Sequence, residues 1–108
     1  MSQPFVAGLR ARAETIRVGS PSAGGITIRV EMPEVWDAVR IVTPPDEPVI
    51  TIKQRALEAL FPEAEYHSDF VLKLRGWEIL DEGAPLVEVG VVEGTILLLT
   101  HRRKRPVR

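Results

Sequence analysis

Few side chains in this 108-residue chain could do chemistry, and their spacing decides how far they go. His67 and His101 are its only histidines. His67 heads the run His67-Ser68-Asp69, shortly after Glu63 and Glu65. That run holds the three residue types of a nucleophilic triad, but triad members converge from separate elements and are rarely sequence neighbours. A carboxylate–imidazole pair or a weak cation site is the other chemistry the loop offers. Zinc takes several protein ligands, however, and each histidine stands alone. His67 is therefore expected to be a solvated loop residue. The absence of cysteine removes thiol nucleophiles, disulfides and thiolate zinc sites. The stretch "GSPSAGG" (19–25) lacks the lysine and the strand–loop–helix setting of a phosphate cradle. These residues predict no catalysis, no cofactor, no metal and no small-molecule substrate.

Charge offers a different kind of contact. Net charge is −1, yet fourteen acidic residues and only five basic ones lie from Glu31 to Glu93. The exit "HRRKRPVR" carries Arg102, Arg103, Lys104, Arg105 and Arg108 without an acid. A basic tail on an acidic body either meets nucleic acid or an anionic membrane, or folds loosely over its own body; the second is the expectation for so short a run. The longest apolar runs, such as "ILLL" (96–99), are far too short to span a bilayer. "MSQPFVAGLRARAE" has no continuous apolar core before its arginines, so no signal peptide is read there and a cytoplasmic location is expected.

Stepping along the chain, Phe5, Leu9 and Ala13 fall at helical spacing in a weak amphipathic turn over 1–13. "TIRV" occurs at 15–18 and again at 27–30 around a loop-forming cluster; the copies either pair as a hairpin or the first is a disordered lead-in. "ITIRVEM" (26–32) alternates, with Ile26, Ile28, Val30 and Met32 on one side, and "AVRIVT" (38–43) is its return strand. The prolines of "PPDEP" (44–48) stop the ladder. Thr51 and Gln54 suit a capping box at the start of a helix over 51–61, with Ile52, Ala56, Ala59 and Leu60 inward and Pro62 as its stop. "FVLKLR" (70–75) alternates again, with Leu72 and Leu74 inward, until Gly76. "WEIL" is a short return, Asp81-Glu82-Gly83 a turn, and "GTILLLTH" (94–101) the last strand.

From Ile26 to Arg102 this order resembles the ubiquitin-like β-grasp family. The match is carried by the "ITIRV…AVRIV" hairpin, the "TIKQRALEAL" helix, "VLKLRGWEILDEGAPL" and "VEGTILLLTHRR". The resemblance implies an α+β fold: a mixed sheet of four to five strands with one helix on one face, and the last strand between the first and third. Residues 1–25 then form an extension, partly disordered or an extra strand, ahead of the domain at 26–101 and a basic tail at 102–108. Ubiquitin and the sulfur carriers end in Gly-Gly, whose carboxylate is adenylated and passed on, whereas here no glycine follows Gly94. As it stands the chain cannot do that chemistry, so conjugation would need a different route or is absent. Lys73 stands where ubiquitin's binding patch has its central isoleucine, which argues against ubiquitin's own receptors. In size and in its glycine-free exit the chain is similar to the YukD-like components of bacterial type VII secretion.

The helix of such a fold covers one sheet face and leaves the other open. Leu97 and Leu99 are expected on that open face beside Val71, Lys73 and Thr27, ringed by Arg75, Arg29 and His101. Trp77 and Trp36, each at a turn, are candidate aromatic anchors. The expected function is a non-catalytic interaction domain that binds a protein or a second copy through this face. Three other expectations stand beside it: cover of the face by residues 5–18, a modifier released by tail processing, and anion binding by the tail.

Overall fold

Alternation in "ITIRVEM" and "DAVRIVT" builds the centre of the sheet, and the prolines that follow turn the chain toward a helix. The computed structural model describes residues 10–19 and 25–102. Six strands are β1 (Arg10–Arg17), β2 (Ile26–Met32), β3 (Asp37–Thr43), β4 (Phe70–Leu74), β5 (Trp77–Glu78) and β6 (Ile96–His101), and the helix α1 spans Val49–Leu60. The sheet order is β1-β3-β2-β6-β4-β5. As expected, β6 lies between β2 and β4, parallel to β2 and antiparallel to β4.

The helix begins differently from the expectation. Thr51 does not cap α1: the helix starts two residues earlier, after Pro48, with no side-chain cap. Its first free amides are met by the acidic turn instead. Val49 N–H donates to the Ala84 carbonyl (3.0 Å) and Ile50 N–H to that of Glu82 (2.8 Å). The inward face is Val49, Ile52, Lys53, Ala56, Leu57 and Leu60, with Ala59 only partly buried. A lysine on that face was not expected. Phe61 ends the helix ahead of Pro62, as the sequence predicts.

The second correction concerns the N-terminal segment. The two "TIRV" copies do not pair with each other. β1 runs parallel to β3 (Ile16 opposite Ile41) at the outer edge of the sheet, with a register shift between Ala11 and Thr15. Residues 10–13 are thus extended rather than helical, and β1 widens the sheet rather than crossing its open face. Phe5, Val6 and Leu9 lie outside the described residues. Burial explains the choice: Ile16 packs on the core, Val18 is buried within it, and Val18 N–H donates to the Val42 carbonyl (2.8 Å). The chain then passes the end of β3 at Gly19, where φ is +77° and a Cβ would lie 2.8 Å from Pro44 Cγ. Only glycine fits that passage.

Candidate protein-interaction face

Residues directly opposite one another on paired strands share a face. The register therefore assigns the two sides. Ile28, Val30, Val39, Ile41, Leu72, Leu97 and Leu99 fall on the helix side and are all buried. On the other side one row runs Ala38–Glu31–Leu98–Lys73–Glu78 across five strands. The next runs Thr15–Arg40–Arg29–Ile96.

This assignment moves the site by one residue. Leu97 and Leu99 are fully buried, so the expected outward pair is in the core. Ile96, 55% exposed, and the half-buried Leu98 occupy the open face in their place. The run "ILLL" is apolar on both parities, so alternation carries no phase there; only pairing with Leu72 and Val30 sets it. Val71 and Lys73 do lie on the open side, Val71 buried and Lys73 half-buried between Leu98 and Glu78. Arg75 is exposed but sits in the β4–β5 turn with φ 53°. Trp77 pairs with Leu74, which places it on the helix side at the sheet edge. There it lines a separate groove of about 360 Å³ with Leu74, Ile79, Leu80 and Val89. The expected site residues are thus split between the open face, the core and this edge groove.

A short strap borders the open face. The 3-10 turn Pro33–Val35 follows β2, and Glu34 in it accepts a hydrogen bond from the Thr100 hydroxyl (2.8 Å) and another from His101 N–H (3.2 Å). Burial alone would raise the Glu34 pKa, but the hydrogen bonds from His101 and Thr100, with the His101 charge, outweigh it and hold the carboxyl below its ordinary value. Arg102 Nη1 donates to Glu78 (2.9 Å), and its backbone N–H to the Asp69 carbonyl (2.6 Å). Together with Val71 and Lys73 these groups line an open groove of about 950 Å³. His101 also meets the Phe70 ring edge-on at 4.8 Å.

The sequence run His67-Ser68-Asp69 forms a short 3-10 turn. Its backbone carbonyls at Ser68 and Asp69 accept from Arg102. No cluster of metal-ligating side chains occurs among the described residues, and no helix among them is long and apolar enough to cross a membrane. Arg103, Lys104, Arg105 and Arg108 lie outside the described residues.

No protein-family model matches the chain, and no curated protein matches it. Solved structures do. A ubiquitin-like domain of an Arabidopsis thaliana protein superposes with a TM-score of 0.63 at 14% identity, covering 90% of this chain and 98% of that one. A ubiquitin of Caldiarchaeum subterraneum gives 0.62 at 15% identity, over 77% and 100%. The UBL domain of Plasmodium falciparum Dsk2 gives 0.60 at 17%, over 71% and 97%. The fold is ubiquitin-like. The sheet carries six strands rather than the four to five expected, because β1 joins the edge of β3. Arg40 and Arg17, which no sequence motif marks, stand on its open face through the pairing of β1 with β3.

Proposed function

We propose that this ubiquitin-like domain is a non-catalytic, cytoplasmic interaction module that binds a protein partner through the open sheet face. Ile96 and Leu98 form its apolar centre, with Lys73, Arg29 and Glu31 around them. The observation that carries this is the exposure of Ile96 on the strand at the middle of the sheet, on the side the helix leaves uncovered. An aliphatic surface rimmed by charge is the usual form of a protein contact. Burying the two side chains fully would contribute about 1.5–3 kcal/mol each before association costs.

The basic tail supports nucleic-acid or membrane binding less well, because the guanidinium of Arg102 is already engaged by Glu78. Release as a modifier and a YukD-like secretion role rest on the resemblance alone. Neighbouring secretion-ATPase genes would favour the latter.

The test is partner capture from the native host with Ile96→Asp and Leu98→Asp, alongside circular dichroism. Folded variants that lose the partner bear the proposal out. Folded variants that retain it would end it. Leu97→Asp, one residue away, is expected to unfold instead.

A further inference from the structure

The chemistry of the partner is written in the neighbouring row of the same face. Arg40 and Arg29 lie directly opposite each other on β3 and β2, and like charges in that position destabilise a sheet. Arg29 is neutralised by Glu31, whose Oε2 is 2.9 Å from its Nε. Arg40 has no such relief, and neither does Arg17, one row on and opposite Val42. Both are exposed, and neither has a carboxylate partner among the described residues. The described carboxylates on and around this face are engaged elsewhere: Glu31 with Arg29, Glu78 with Arg102, Glu34 with Thr100, and Glu93 with the Thr27 N–H. Two unpaired guanidinium groups therefore stand on adjacent strands as diagonal neighbours, about 7–8 Å apart at the backbone, with Val42 opposite Arg17 and Ile96 two strands beyond Arg40 in its row.

We infer that the open face takes an acidic peptide segment, one whose carboxylates reach Arg40 and Arg17 while an aliphatic side chain covers Ile96. The inference rests on the open face being the binding surface. A planar guanidinium offers a carboxylate two parallel hydrogen bonds, so two such groups suffice to set the register of a short chain. An aliphatic neighbour adds nothing to a phosphate backbone. The rest of the domain also opposes a long polyanion, since Asp46, Glu47, Glu58, Glu63 and Glu65 populate its helix side and loops.

The experiment uses the full chain and a short fluorescein-labelled peptide that alternates glutamate with leucine, followed by anisotropy at low and moderate salt. Comparison probes are the same peptide with lysine for glutamate, and a single-stranded DNA oligonucleotide of equal length. The acidic peptide is expected to bind and to weaken as salt rises. Arg40→Glu and Arg17→Glu should each reduce its affinity about tenfold or more, the loss of one charge-assisted contact. Arg55→Glu, on the helix that covers the opposite side of the sheet, should change it far less. Amide shifts should map to residues 15–17, 40–42 and 96–98. Arg40→Glu places a carboxylate opposite Arg29, so its Tm should hold or rise, and weaker binding would not reflect unfolding. Unchanged affinity in Arg40→Glu would overturn the inference, as would tighter binding of DNA, shifts confined to other strands, or no binding at low salt. If Leu98→Asp abolishes native partner capture while Arg40→Glu has no effect on either probe or partner, the acidic specificity fails and the open-face proposal stands. If Arg40→Glu abolishes peptide binding while Leu98→Asp leaves native capture intact, the basic row stands and the open-face proposal falls.

Discussion

Lys53 lies inside the domain rather than in solvent. It is 2% exposed, and its Nζ donates to both carboxylate oxygens of Glu82 (2.9 Å each) and to the Phe70 carbonyl (3.0 Å). All three donors of the ammonium are thereby used. Glu82→Ala would leave that charge with a carbonyl alone, and urea unfolding should show a loss of about 3 kcal/mol. The double replacement Lys53→Met with Glu82→Leu should recover most of it, because two well-packed apolar groups need no compensation. Neither partner announces itself in the sequence. A lysine in an amphipathic helix is ordinarily assigned to solvent, and its counter-ion lies 29 positions away. Leu97 and Leu98 make the same point. Leu97→Ala should cost about 2–5 kcal/mol and Leu98→Ala well under that, although the two residues are chemically identical neighbours. What separates them is pairing, which no local pattern states.

At the scale of elements, the β4–β5 connection is a two-residue hairpin with Arg75 at φ 53° and Gly76 at φ 86°. Both central positions require positive φ, as in a type I′ turn, and a side chain such as arginine is held there against its preference. Arg75→Asn should stabilise the domain by about 1 kcal/mol, read as a shift in denaturation midpoint at constant slope. The strap at Pro33–Val35 is an electrostatic counterpart. Because the folded Glu34 carboxyl sits below its ordinary value of 4.5, its contribution is complete above that pH and is lost as pH falls through the lowered value. The stability gap between the parent and Glu34→Gln should therefore be constant near neutrality and close on acidification. The hairpin, the helix and the order of strands were legible, because alternation, helix-forming residues and prolines punctuate the chain strongly. The helix start was not: Thr51 and Gln54 fit a capping box, while the actual partners of the first amides are carbonyls at Glu82 and Ala84.

For the whole molecule, the distribution of charge divides the surface more sharply than the net value of −1 suggests. Acidic loops gather around the helix, and unpaired arginines stand on the far side of the sheet. The added edge strand contributes to both properties, since β1 supplies Arg17 to the open face and leads directly into Val18 in the core. Its place in the sheet also has a kinetic consequence. β1 pairs with β3 alone, so its ladder has nowhere to form until the β2–β3 ribbon exists, and contacts closing late are absent from the transition state. Ile16→Ala and Val18→Ala should steepen escape from the native state in stopped-flow chevrons while leaving the refolding limb where it was. The earliest of the six described strands in chain order would then be the last one zipped into place.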